Sequence, residues 1–219
     1  MKKIELLTKN SITIKHPRKK SIEVRLFRIY ATEDISCGEK VIPAGSIGGF
    51  IASLDNLDDN SWVVPNSKIF DNARIINSYI HGSALVFENA IVEDSEIGVN
   101  ARIFGEAYVK GTYVGGKVDV LGKCKVYNSK LLDSCIIKDA VILESTEVSA
   151  GALIKGMSNI RSSRIGDICA VTGNSTLENC VLSGRVVLNN ANLRDQTLHE
   201  DIELNMEDPE RPYLEKYMV

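Results

Sequence analysis

Asn100-Ala101-Arg102-Ile103-Phe104-Gly105-Glu106-Ala107-Tyr108-Val109-Lys110-Gly111-Thr112-Tyr113-Val114-Gly115-Gly116 decides the fold. Three times in this stretch a small residue precedes an aliphatic one by two places: Ala101 and Ile103, Ala107 and Val109, Thr112 and Val114. Residues two apart on an extended strand share a face, so both members of each pair point the same way. A step of seventeen residues carries the pattern outward in both directions. From Ile69 it lands on Val86, Ile103, Val120, Ile137, Ile154, Val171 and Leu188. From Ile75 it lands on Val92, Val109, Val126, Leu143, Ile160 and Leu177. From Val63 it lands on Ile80, Ile97, Val114, Leu131, Val148, Ile165 and Leu182. Chance does not put an aliphatic at all twenty-three places without one break in register.

A unit this short cannot bury its apolar face alone, so successive units must stack. Three short strands per coil, each above its counterpart in the next, make a triangular prism walled by parallel sheets. The aliphatic side chains fill the axis and the small ones fit its corners. Before the third strand of each coil stands a turn residue: Asn60, Asn77, Asp94, Gly111, Asn128, Ser145, Ser162 or Asn179. Such residues tolerate left-handed backbone or bond locally to it, as a sharp corner requires. About eight coils spaced ~4.8 Å apart predict a rod of roughly 40 Å.

The six-five-six beat of each coil resembles the hexapeptide-repeat, left-handed parallel β-helix of the trimeric LpxA-like proteins. The left hand is implied by that resemblance, because most parallel crossovers are right-handed. Leu26-Phe27-Arg28-Ile29, Ala44-Gly45-Ser46-Ile47-Gly48-Gly49-Phe50-Ile51 and Asn60-Ser61-Trp62-Val63 narrow it further. With Asn72-Ala73-Arg74-Ile75 and Asn100-Ala101-Arg102-Ile103 they resemble the YdcK family of bacterial and prophage β-helix proteins. The expected fold is therefore all-β: a single-stranded left-handed parallel β-helix over residues 46–194, an N-terminal β cap over 1–45, and an acidic tail over 195–219. Alternation in Ile22–Tyr30 predicts a half-buried strand in the cap, and Asp208-Pro209-Glu210 is a candidate helix start.

Composition agrees with strands and excludes other classes. Ile and Val together number 43 against 18 Leu, an excess of β-branched residues in a chain of 219. A net charge of −3 argues against nucleic acid as a partner. No apolar run is long enough to span a membrane, and Met1-Lys2-Lys3-Ile4-Glu5 does not open a signal peptide. Five cysteines without a C-x-x-C pair point to free thiols in a reducing cytoplasm, with no metal site. Cys124, Cys135, Cys169 and Cys180 fall on inward small positions, where thiols act as small hydrophobes, while Cys37 lies outside the repeat beside Gly38.

Acyltransferases of the LpxA-like fold use a histidine as general base, so the resemblance directs attention to three residues. His16, in Lys15-His16-Pro17-Arg18-Lys19-Lys20, reads as part of an exposed, solvated hairpin tip, and His199 falls in the tail. His81 alone lies within the coils, at the corner after Ile80, and is the candidate base. Tyr79 and Tyr113 flank Glu96 on the same wall, with Lys130 above, and form a candidate ligand face. Phe70, Phe87, Phe104 and Leu121 stack on the outside of the first strand series, and Ile136, Leu153, Ala170 and Val187 also point outward there. An apolar outer stripe is covered by a terminal segment or by another subunit. Against catalysis stand the unbroken register from residue 63 to 188, with no inserted loop, and the absence of a nucleophile triad or phosphate-binding glycine loop. The expected function is a binding or assembly module without catalysis and without a cofactor. The alternative is an acyltransferase using acetyl-CoA or another acyl-CoA in a cleft between subunits. The resemblance implies a homotrimer, and a further protein partner fits the same reading.

Overall fold

The three inward columns meet on one axis. In the computed structural model, which describes residues 2–206, every one of the twenty-three aliphatic positions is at most 1% exposed. Their strands stack in parallel with a seventeen-residue offset, as in Leu85↔Arg102, Val92↔Val109 and Ile97↔Val114. The result is a β-solenoid of about nine coils with the form of a left-handed β-helix. Its walls are sheets of twelve, eight and nine strands, here called the first, second and third wall in the order the chain visits them. One turn of 3-10 helix, Leu54–Asn56, is the only helix among the described residues.

The corners depend on left-handed backbone. Asn77, Asp94, Gly111, Asn128, Ser145, Ser162 and Asn179 have φ between 45° and 59°, as their residue types predict. Behind each lies an inward small residue, and on the third wall that residue is nearly always a hydroxyl. The hydroxyls form a ladder. Ser95 Oγ donates to the Glu93 carbonyl at 2.6 Å and accepts the Thr112 N–H of the next coil at 3.1 Å. Thr112 does the same with Lys110 and Ser129, and Ser129 with Tyr127 and Thr146. The ladder satisfies backbone groups that the corner turns away from the sheet.

The N-terminal residues do more than the predicted cap. β1 (Ile4–Lys15) and β2 (Glu23–Ala31) form a long antiparallel hairpin. β3 (Ile35–Cys37) and β4 (Lys40–Ile42) form a short one, and β5 (Ile47–Ile51) joins β2 to the first coil. Ile4, Ile29 and Ile35 plug the near end of the axis above Ile51 and Trp62. Gly48 and Gly49 are required where the cap meets the coils: a Cβ on Gly48 would stand 2.5 Å from Ile29 Cγ1, and one on Gly49 2.6 Å from the Val64 carbonyl oxygen. The far half of the β1–β2 hairpin, past a register break between Leu7 and Ser11, lies over the Phe70–Phe87–Phe104 stack.

At the other end the coils run past residue 194. Asn192–Arg194 pairs with Thr176–Glu178, Thr197–Leu198 with Val181–Leu182, and Ile202–Asn205 with Val186–Asn189. The offset here is sixteen in place of seventeen, because the corner after Asn189 is one residue shorter than the corner after Thr172. Leu193, Leu198 and Leu204 continue the three inward columns, buried to 6% or less. A fixed step of seventeen misses them, which is why the period is lost in the sequence before it is lost in the chain. Of the predicted tail, residues 195–206 thus belong to the solenoid. The helix start at Asp208-Pro209-Glu210 lies outside the described residues.

Candidate functional site

One cluster of polar side chains converges on the third wall, and it contains three of the four residues singled out there. Tyr79 and Glu96 are neighbouring rungs of that wall. His81, at the corner of the Tyr79 strand, tilts against the Tyr79 ring at 5.5 Å between centroids. Its Nε2 lies 3.2 Å from Glu96 Oε1, off the line of a hydrogen bond. The ring fits because the next coil carries Gly98, where a Cβ would stand 2.3 Å from His81 Cε1. The fourth member comes from the cap: Lys40 donates from Nζ to Glu96 Oε2 at 2.7 Å and sits 4.7 Å from the Tyr79 ring centre. Lys40 is 56 residues from Glu96 in the chain, so no local spacing could have announced it. The bond to Glu96 raises the Lys40 pKa, and burial raises that of the Tyr79 phenol. Between the β3–β4 hairpin and the wall remains a cleft of about 260 Å³, lined also by Cys37, Asn77 and Asp94.

The chemistry of this cluster is mostly spent on itself. Glu96 is bonded to the Lys40 ammonium, which is held over the Tyr79 ring, and His81 Nε2 lies beside the same carboxylate without a hydrogen bond. Tyr113 does not join. It pairs with Glu96 in strand register but is 42% exposed, and its ring lies over Gly115, where a Cβ would meet Tyr113 Cε1 at 2.6 Å. Lys130 is its next rung.

His16 corrects the sequence reading. It is not exposed but 2% accessible, wedged edge-on against Phe70 and Phe87 at 5.7 and 5.6 Å. Nδ1 accepts the N–H groups of Arg18 and Lys19, which leaves the ring proton on Nε2, 3.0 Å from Asp71 Oδ2. Arg18 then reaches Glu88 at 2.9 Å and lies over the Phe104 ring. The basic run is therefore a buckle closing the hairpin on the rod. Arg18, Lys19, Glu88, Glu106 and Lys123 border an open corner cleft of about 620 Å³, in which cations and carboxylates alternate. His199 stands beside Ser183, its partner one coil back.

All five cysteines are free and buried. Burial pushes the Cys37 and Cys124 thiols up to about 11 and Cys135 to about 12, so none is poised as a nucleophile. Among the described residues no set of three His, Cys, Asp or Glu side chains is placed to hold a metal.

The outer rows differ by wall. The second wall carries alternating charge, with Lys110 bonded to Glu93 at 2.7 Å, Arg161 to Glu144 at 3.3 Å and Arg194 to Glu178 at 3.0 Å. Opposite signs on neighbouring rungs are what identical stacking requires, because like charges directly opposed repel. On the first wall, Phe70, Phe87 and Phe104 stack within 8° of parallel at 5.0 and 4.9 Å, beneath Leu26, Ile12, Ile14 and Val24 of the hairpin. Ile136, Leu153, Ala170 and Val187 occupy consecutive rungs of the same wall farther along, beyond the hairpin. They are exposed or half-exposed, with Ile168 and Met157 on the flanking corners 73% and 66% exposed.

Comparison with known protein families and with curated proteins finds no match to this chain. Among the described residues no helix is long and apolar enough to cross a membrane.

Proposed function

We propose that this chain is a binding or assembly module without catalysis, acting through the outer walls of its solenoid. The observation that carries the reading is the state of the polar cluster on the third wall: Lys40 is bonded to Glu96 and held over Tyr79, and His81 lies against both beside a small cleft. Coils that run without an inserted loop leave long flat walls as the surface available for recognition. The junction Ala44–Ile51 and the start Asn60–Val63 support a place among YdcK-like, LpxA-like proteins, and with it a homotrimer. Five unpaired thiols support a reducing, cytoplasmic setting.

The second reading, acyl transfer from an acyl-CoA with His81 as base in an intersubunit cleft, draws on the proximity of His81 to Glu96 and Tyr79. Calorimetric titration of the full chain with acetyl-CoA separates the two. The expected result is no saturable heat in a sample whose mass by light scattering is that of an oligomer. Saturable binding that is lost in His81→Ala would overturn the module in favour of the enzyme.

A further inference from the structure

The row Ile136–Leu153–Ala170–Val187 has nothing over it among the described residues, although the Phe stack on the same wall is covered by the hairpin. We propose, building on the reading of the chain as a binding module, that this half of the first wall docks an amphipathic α-helix of another protein, apolar on one face and acidic beside it. Charge and shape select this occupant.

Lys138 and Lys155 follow Ile136 and Leu153 by two places, so a row of cations runs beside the apolar row. Wherever else charged residues are neighbours on these walls, their signs are opposite, as at Arg102 and Asp119 or along Glu144, Arg161, Glu178 and Arg194. Lys138 and Lys155 break that rule, and like charges on neighbouring rungs repel. Neither they nor Arg185, at the corner two residues before Val187, has an ion-pair partner among the described residues. Asp139 and Asp167, on corners that border the face, are bonded to the Gly156 and Gly184 N–H groups. The face therefore keeps an unmatched positive charge beside its apolar row, and an acidic partner relieves the repulsion on binding.

The four rungs span three spacings of ~4.8 Å, about 14 Å in all. A helix returns to one face every three or four residues, roughly 4.5–6 Å along its axis. Its apolar side chains thus fall in step with the rungs, and about ten residues cover the row. Ile168 and Met157 stand exposed on the two bordering corners, and Ala170, small between Leu153 and Val187, leaves room for a large side chain. A second copy suits the face less. It brings the same cations and, as carboxylates in the apolar column, Glu203 at its foot and Asp119, which Arg102 holds. An anionic lipid surface is disfavoured by the net charge of −3 and by Asp133, Asp139 and Asp167, all exposed on the bordering corners.

The test uses the full chain and a synthetic helical peptide of about fourteen residues, leucine along one face and glutamate beside it, with a lysine-for-glutamate peptide as its counterpart. Fluorescence anisotropy is expected to show saturable binding of the glutamate peptide, at least tenfold weaker in Leu153→Asp and in the double variant Lys138→Glu, Lys155→Glu. The double variant should take up the lysine peptide instead, a gain that misfolding cannot produce. No saturable binding by the native chain, or binding that charge reversal leaves unchanged, would overturn the proposal. Leu153→p-benzoylphenylalanine, irradiated with the glutamate peptide present, is expected to crosslink to it. Crosslinks to residues 207–219 of the same chain, or between two chains, would give the face to another occupant and overturn the proposal. Co-sedimentation with phosphatidylserine vesicles that the double variant loses would overturn it in favour of a lipid surface. If the peptide does not bind and acetyl-CoA gives no heat, the module reading stands with its other walls. Saturable acetyl-CoA binding that is lost in His81→Ala overturns that reading whatever the peptide does.

Discussion

His16 shows how much one side chain settles here. Its ring joins the hairpin tip to the Phe stack through two accepted N–H bonds, a bond to Asp71 and two aromatic edges. His16→Ala removes the acceptor of the Arg18 and Lys19 N–H groups and takes from Asp71 one of its two partners, leaving it the Glu88 N–H, at a cost of about 2–4 kcal/mol. The loss should stay local, because a solenoid is stabilised by neighbouring units. Hydrogen exchange is expected to rise tenfold or more across Ile12–Val24 and to stay unchanged beyond Ile137. A uniform rise over all coils would contradict this. In the sequence His16 is one polar residue in a basic run, and its burial depends on Asp71 and Phe87, both far along the chain. His81 differs in that the sequence places it at a corner of the coils, and the structure lays its ring over Gly98 one coil later. Val99 is a residue out of place. It holds φ 46° at a corner where the preceding coil has Gly82 at 59°. A β-branched side chain there costs roughly 1–2 kcal/mol. Val99→Asn is expected to raise the denaturation midpoint, and a fall would show that the exposed valine packs on something.

At the scale of the strand, the third wall depends on its hydroxyl ladder. The Ser or Thr preference at Ser61, Ser78, Ser95, Thr112, Ser129, Thr146 and Ser163 is visible in the sequence, where it reads as mere smallness. The structure shows the chemistry: at six of these seven hydroxyls, Thr146 excepted, the corner of the next coil turns an N–H away from the sheet and the hydroxyl accepts it. Ser129→Ala, although conservative in size, strands the Thr146 N–H in the core and should cost about 1–3 kcal/mol. Ala107→Ser, on a wall without such a ladder, is the control for size and polarity. Equal stability of Ser129→Ala and the native chain by denaturant titration would remove the ladder from the account. The ion-pair rows of the second wall are exposed and contribute less. Lys110 and Tyr108 hold the Glu93 carboxyl below its usual range, so its contribution is full at neutral pH and fades only as acid protonates it. Thermal melts should therefore change little between pH 8 and 6 from this source, and fall below the ordinary carboxylate range.

Across the whole molecule, one axis runs from Ile4 to Leu204. Ile137 sits midway along the first inward column, fully buried between Val120 and Ile154. Ile137→Ala should cost about 2–4 kcal/mol, since a narrow prism cannot collapse onto the cavity. Its effect on exchange should spread to both neighbouring coils, and protection lost only at residue 137 would argue that coils fold independently. Period and residue type determined the solenoid, its three inward columns and its left-handed corners from the chain alone, because each coil contacts only the next and the contacts recur at constant spacing. What spacing could not supply is everything joining residues at irregular separation: the hairpin laid over Phe70, Phe87 and Phe104, the buried His16, and Lys40 closing on Glu96. The missing residue at the Asn189 corner belongs with these, because a chain can shorten one turn while its side chains stay in column. Local repetition is encoded locally, whereas the sites where the N-terminal hairpins close on the rod depend on contacts that exist only once it has formed.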